Sequence, residues 1–340
     1  MRAIVVDRWM EPSQLCVREA AEPATGPGQL KIEVRAAGCN FFDTLIVQGR
    51  YQIRPPLPFV LGGELAGRVR EVGAGVEGFA VGDRVFAAPG TGGFAEIAVV
   101  DADGAYPLPD AMSYEDGVAL CVVYPTSYAA LVFRADLCAG EDLLVHAAAG
   151  GVGLAAVQLG RALGARVIAS AGGAEKCELA RRHGADAAID SSREDFVERV
   201  LQLTDGKGAD VIYDSVGGEV TDRSLQCIAW NGRLCVIGFA SGRIPEIAAN
   251  RILLKNIAVT GLHWSATAQH EPEKIPIVFD ALFELHAAGR IEPVIFARFP
   301  LEDVPAALEA LASRKTHGKL VVTPRGAPAL PGSRAAGAAD

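Results

Sequence analysis

Leu143-Leu144-Val145-His146-Ala147-Ala148-Ala149-Gly150-Gly151-Val152-Gly153 is the stretch on which the fold of this chain turns. A short apolar run leads straight into glycines, and beyond them Val152, Ala155, Ala156, Leu159 and Leu163 fall on one face of a helix. Strand, tight turn and helix follow one another without a spacer. Such a turn lets the backbone approach a pyrophosphate, and the helix N-terminus offers it amide donors and the positive end of a dipole. Gly150, Gly151, Val152 and Gly153 are therefore the candidate phosphate-binding residues. Ala148 stands where the usual fingerprint has its first glycine, so on this stretch alone a glycine-rich turn that binds nothing stays open.

The surroundings favour the binding turn. Residues 166–170, 187–190, 210–214, 234–238 and 257–261 are short apolar runs, mostly separated by helical patterns such as 175–183 and 195–204. With 143–147 they make six buried strands, which describes a doubly wound parallel sheet, a Rossmann domain. Upstream the texture is β-rich: 30–36, 65–73 and 82–87 read as strands with Gly and Pro between them. From residue 264 the pattern predicts two amphipathic helices and a final strand, Lys319 to Val322, a piece expected to return to the N-terminal domain. Residues 326–340 are mostly Ala, Gly, Pro and Ser and read as a disordered tail.

A chain of 340 residues is long enough for two domains, and its formal net charge is −9. With no dense Lys/Arg cluster, that charge argues against a nucleic-acid partner or an anionic membrane surface. No apolar run reaches the length of a membrane span, and no signal peptide is read at Met1-Arg2-Ala3-Ile4-Val5-Val6-Asp7. The seven cysteines are odd in number and scattered, which suits reduced thiols, so a cytoplasmic location is expected. There is no Gly-x-Ser-x-Gly elbow and no Walker lysine. The six histidines are dispersed; His183, just before Gly184, reads as a helix C-cap.

The residues after the second strand bear on the cofactor. An NAD-preferring site carries an acid there for the ribose 2′-hydroxyl, whereas this chain reads Ser170-Ala171-Gly172-Gly173-Ala174-Glu175-Lys176. No acid stands at the strand end to repel a 2′-phosphate. Lys176 could pair with that phosphate and Ser170 could donate to it; with Gly172 they are the candidate residues of this loop, and NADPH is the expected cofactor. The alternative is that Glu175 serves the ribose while Lys176 is solvated.

Several further stretches carry a resemblance. They are Gly38-Cys39-Asn40-Phe41-Phe42-Asp43-Thr44, Gly62-Gly63-Glu64-Leu65-Ala66-Gly67, Gly78-Phe79-Ala80-Val81-Gly82-Asp83-Arg84-Val85, Tyr124-Pro125-Thr126-Ser127-Tyr128 and Tyr213-Asp214-Ser215-Val216-Gly217-Gly218. In this order, with the glycine turn, they resemble the medium-chain dehydrogenase/reductase superfamily, specifically its zinc-free quinone oxidoreductase branch, which includes zeta-crystallin. The resemblance implies an α/β fold: a Rossmann NADPH-binding domain over 124–263 and a GroES-like β-rich catalytic domain over 1–123 and 264–325. It implies that Asn40 and Thr126 border the nicotinamide and that Tyr51 donates near the acceptor's carbonyl, with Asp43 a further catalytic candidate. Phe239, Ser241 and Gly242 would lie along the cofactor, and Arg314 would join Lys176 near the 2′-phosphate. Ser191 stands where relatives often carry a tyrosine. Asn40 and Asp43 also read as caps of a short helix, and Tyr51 as a loop aromatic.

The zinc-dependent alcohol dehydrogenases carry a cysteine ligand at the place of Asn40 and Gly-His-Glu at the place of Gly62-Gly63-Glu64. No cysteine lies between Cys39 and Cys121 to form their structural zinc lobe, so no metal is expected. Without a Lewis acid, the chemistry left is hydride or electron delivery from NADPH to an electron-poor acceptor. A quinone is the first expectation. An α,β-unsaturated carbonyl, such as an alkenal or enoyl thioester, is the alternative, and a non-catalytic NADPH-binding structural protein a distant one. The apolar run Asn256-Ile257-Ala258-Val259-Thr260-Gly261-Leu262 reads as the sheet's edge strand, and a homodimer is expected to form through it.

Overall fold

The structure, a computed structural model, describes residues 1–325; the tail expected over 326–340 lies outside the described residues. The chain divides into two compact units, one of 1–121 with 295–315 and 320–325, the other of 122–294 with 316–319.

The second unit is built on a six-stranded sheet of order Ala187–Asp190, Arg166–Ala171, Asp142–His146, Ala209–Asp214, Ile228–Val236, Ala258–Gly261. Every pairing in it is parallel. The order steps outward from Asp142–His146 in both directions, so the chain reverses beside that strand. In such sheets ligands bind at the carboxyl ends of the strands flanking the reversal. Helices Gly151–Ala162, Ala174–Arg182 and Phe196–Leu203 fill the crossovers, each near its expected place. Asp195 caps the last of them, accepting from Val197 N at 2.9 Å, and His183 is the C-cap of the helix before it. Leu143, Leu144 and Val145 are fully buried, which is why that strand reads as an unbroken apolar run.

Two expectations are corrected here. The fifth strand begins at Ile228, six residues before the apolar run at 234, with a register shift against its neighbour. Its first half carries Trp230, Asn231 and Gly232, with Asn231 at a φ of 61°, a composition that hides a strand. Residues 264–294 join the second unit instead of returning to the first. Helix Lys274–Ala287 packs on helix Val123–Ala129 and buries Ile275, Val278, Phe279 and Leu282, with Phe279 edge-on to Trp264 at 6.4 Å.

The first unit is an antiparallel assembly. Its seven-stranded sheet centres on Gln29–Cys39, which pairs with Leu65–Val72, with Ile97–Asp101 and with the C-terminal strand from Leu320. A three-stranded sheet around Arg2–Val6 covers it. Helix Val304–Ala312 buries Val304, Ala307 and Leu308 against the core of this unit. That helix lies in the piece where the sequence predicts amphipathic helices and a return to the first unit, whereas strand Ile295–Pro300 was not expected. Against the expectation of no span-length apolar run, the helical run Tyr114–Arg134 reaches the length and mean hydropathy (1.4) of a membrane span, but 67% of its most apolar window is buried inside the fold.

Candidate functional site

The glycine turn is shaped by two backbone constraints. After Asp142–His146 the chain turns at Ala147, whose φ of 47° is left-handed and costs a non-glycine residue about 1 kcal/mol. Gly150 then caps the helix in extended geometry, its N–H donating to Ala147 O at 2.8 Å. Gly153 accounts for the spacing of the motif. A Cβ there would stand 2.2 Å from Ala147 O and 2.9 Å from Ala148 Cα, so only glycine lets the helix start this close to the strand. The first-turn amides of Gly151, Val152 and Gly153 have no acceptor within the helix and face the strand's carboxyl end, as a dinucleotide pyrophosphate requires. Ala148, the departure from the fingerprint, is fully buried and donates its N–H to Ser170 O at 3.0 Å.

Around this turn the second unit assembles most of the expected cofactor residues. Thr126 lies on helix Val123–Ala129, its hydroxyl donating to Val122 O at 2.6 Å. That helix touches the turn: Ser127 Oγ lies 2.9 Å from Val152 O and also 2.9 Å from the hydroxyl of the buried Tyr213. After the second strand, Gly172 is exposed, and a Cβ on it would meet nothing within 4 Å. Lys176 sits half-exposed in the first turn of helix Ala174–Arg182, and Glu175 beside it is exposed. Ser170 is 4% exposed, an interior position from which its backbone, not an open side chain, meets the turn.

Asp190, an acid bonded to this loop, is committed to hydrogen bonds of its own. It accepts from Ser192 Oγ at 2.6 Å and from Gly173 N at 2.8 Å, and these bonds hold its carboxyl below the usual range. Phe239, Ser241 and Gly242 form a loop on the Gly217-Gly218 turn, with Ser241 N donating to Val216 O at 2.8 Å. A Cβ on Gly218 would come within 2.8 Å of Ser241 Oγ, so this glycine lets the loop lie down.

Asp214 organises that turn and was not singled out from sequence. Buried at a strand end, it accepts from Val216 N at 2.8 Å, from Gly217 N at 3.0 Å and from the Thr221 hydroxyl. An aspartate followed at a strand end by Ser-Val-Gly-Gly is the available signal, since Asp side chains close such turns. His317 was also missed; its segment pairs with the turn, Gly318 N donating to Ala149 O at 2.8 Å.

In the first unit, Asn40 and Asp43 form the capping box of helix Phe41–Val47, with Asn40 N donating to Asp43 Oδ2 at 2.7 Å. Asn40 Nδ2 also donates to Glu64 Oε1 at 2.9 Å, and Asp43 and Glu64 are both fully buried. Asp43 therefore stands as a residue that positions Asn40 rather than one open to a substrate. Tyr51 packs its ring 5.7 Å from that of Phe42, and burial, with the Asp43 charge second, raises its hydroxyl pKa. Arg314 has a left-handed φ of 57° and belongs to this unit.

The ligand geometry of a zinc dehydrogenase does not fit these residues. A Cβ on Gly63 would lie 2.3 Å from Phe42 Cζ, so the Phe42 ring fills the space where a histidine at 63 would begin. Among the described residues no group of three or more His, Cys, Asp or Glu could hold a metal ion.

Comparison with known proteins agrees with this division. The family described as Alcohol dehydrogenase GroES-like domain matches residues 26–110, and that described as Zinc-binding dehydrogenase matches 151–282. A quinone oxidoreductase-like protein 2 homolog of Nematostella vectensis is 41% identical over 300 residues, covering 87% of this chain and 82% of that protein. A quinone oxidoreductase of Pseudomonas aeruginosa is 39% identical over 307 residues, covering 90% of this chain and 94% of that protein. The crystal structure of Escherichia coli quinone oxidoreductase complexed with NADPH superposes with a TM-score of 0.89 at 34% identity, over 95% of this chain and all (100%) of that one. With the parallel sheet, the glycine turn and the GroES-like unit already in place, the chain belongs to the quinone oxidoreductase branch of the medium-chain dehydrogenase/reductase superfamily.

Proposed function

We propose that this protein is a metal-free, NADPH-dependent reductase of small electron-poor acceptors, with quinones as the acceptor class. The observation that carries the reading is the glycine turn followed by a strand end that holds no acid, with Lys176 one helical turn on. The quinone oxidoreductases of similar sequence, and the E. coli structure complexed with NADPH, support it. NADPH, when bound, supplies the hydride. Gly150, Gly151, Val152 and Gly153 hold the pyrophosphate, Thr126 and the Phe239–Gly242 loop border the rest of the dinucleotide, and Lys176 takes the 2′-phosphate, with Arg314 a further candidate. Tyr51 donates its hydroxyl to the acceptor oxygen as negative charge gathers there; its raised pKa keeps that proton in place at neutral pH. Asn40, the residue that borders the nicotinamide, is held in place by Glu64 and Asp43.

We place the protein in the cytoplasm as a homodimer. All seven cysteines are free thiols, which suits a reducing compartment. Ala258–Gly261 ends the sheet, its residues exposed or half-buried, and Leu253 and Leu254 just before it are 78% and 71% exposed. A second copy pairing along that edge would cover both.

The test is a panel of ortho- and para-quinones, enones and enoyl thioesters with NADPH, run with and without a chelator. Fastest oxidation with quinones, unaffected by chelation, supports the reading. Turnover that needs added zinc and runs only with alcohols overturns it.

A further inference from the structure

We propose that His317 is a second determinant of cofactor choice, its proton setting how strongly the site prefers a 2′-phosphorylated dinucleotide to the unphosphorylated form. The inference rests on the 2′-phosphate lying at Lys176, and it adds a residue that neither the sequence motifs nor the comparisons assign.

The geometry comes first. Residues 316–319 belong to the cofactor unit and run beside the glycine turn. Gly318 forms a parallel bridge with Gly150 and donates its N–H to Ala149 O at 2.8 Å. On the other side, Lys319 N donates to Val294 O at 2.7 Å, and a Cβ on Gly318 would stand 2.3 Å from that oxygen. The segment is thus clamped between the turn and Val294, which fixes the backbone of the half-buried His317.

The charges follow. Glu175, Lys176 and Arg182 of helix Ala174–Arg182, and its C-cap His183, lie close enough to His317 to act on its charge. Lys315 and Lys319 flank His317 in the chain, and Glu292 acts on His183. Burial is the first cause that holds the His317 imidazole below its ordinary pKa. Glu175 opposes it, while Lys176, Arg182 and His183 add to it. The free protein therefore carries a neutral ring near neutral pH. A phosphate dianion drawn to Lys176 reverses the balance, because it attracts the imidazolium that Lys176 repels. The His317 pKa then rises on binding, so NADPH brings a proton with it and NADH does not. By linkage, the preference for NADPH grows as pH falls through that range, until the phosphate itself takes a proton near about pH 6.

Calorimetric titration of wild type and His317→Gln with NADPH and NADH, in buffers of different ionisation enthalpy from about pH 8 down to 6.5, tests this. Expected is proton uptake for NADPH on wild type alone, with the NADPH/NADH affinity ratio rising about three- to tenfold relative to the variant. Unchanged NADH affinity in His317→Gln certifies that the unit is folded. Identical ratios and proton uptake in the two proteins would overturn the role of His317 while leaving the cofactor reading standing. Equal NADPH and NADH affinities in wild type at every pH, or an NADPH affinity untouched in Lys176→Ala, would instead remove the 2′-phosphate from this place and the inference with it.

Discussion

Replacing Gly153 by alanine should push the cofactor helix off the strand it starts from. The new methyl would lie 2.2 Å from Ala147 O and 2.9 Å from both Ala147 C and Ala148 Cα, where ordinary contacts begin at 3.4 Å. Helix and strand must therefore part by about 1 Å along this line, and all three atoms are backbone, so no rotamer change relieves the clash. Overpacking of this kind costs about 1–3 kcal/mol, which in a domain of this size lowers Tm by roughly 2–12 °C. The same displacement moves the first-turn amides away from a pyrophosphate, and both NADPH and NADH should weaken by about tenfold or more, because both carry that group. Gly172→Ala is the control for stability: its methyl meets nothing within 4 Å, so Tm should stay near wild type. Thermal unfolding by circular dichroism and fluorescence titration with both dinucleotides read the two effects. A Gly153→Ala protein with wild-type Tm and wild-type affinity for both would refute the close-approach argument and the phosphate site built on it.

Other outcomes are expected elsewhere. Lys176→Ala should weaken NADPH by about ten- to a hundred-fold and NADH little, measured by equilibrium titration; equal losses would make Lys176 a support of the fold. Tyr51→Phe should lower kcat for quinones without moving NADPH affinity, and unchanged turnover across the acceptor panel would assign the proton donor elsewhere. His146 is buried, and desolvation, against the opposing Asp214 charge, pushes its pKa down to about 4. Its folded value lies below the unfolded one, so the stability it contributes is full above about pH 6.5 and is lost as pH falls toward 4. Urea unfolding should show about 2 kcal/mol less stability at pH 5 than at pH 7 from this group, a difference that His146→Asn removes. Val259→Pro takes a ladder donor from the edge strand and should break the dimer or the fold; light scattering of wild type at the monomer mass of 35.5 kDa, fully active, would refute the assembly.

Much of the second unit was legible because its signals are local. A parallel strand buried on both faces must be continuously apolar, and a helix that starts hard against a strand must carry glycine at Gly153, so both show in the residues themselves. Arg166–Ala171, buried from Val167 onward, is legible to within one residue for that reason, and the strand carrying Trp230 and Asn231 was begun too late because turn-type residues break its pattern. In the first unit the sequence allowed Asn40 and Asp43 as either caps or catalytic residues. The hydrogen bonds show the cap directly, and they also join Asn40 to Glu64 across twenty-four positions of sequence.

What only the tertiary structure decided concerns partners. An amphipathic helix announces an apolar face but not the surface that face will cover, so the sequence could not assign Lys274–Ala287 to the cofactor unit; its packing on Val123–Ala129 did. Gly63 reads as a missing ligand in the sequence, while in the fold it is the space that the Phe42 ring occupies. His317 has no motif at all and gains meaning only from the pairing of Gly318 with Ala149. Periodicity and glycine placement are short-range constraints written into successive residues, whereas these contacts join residues distant in the chain, and a single sequence carries no record of which apolar or charged surfaces will meet.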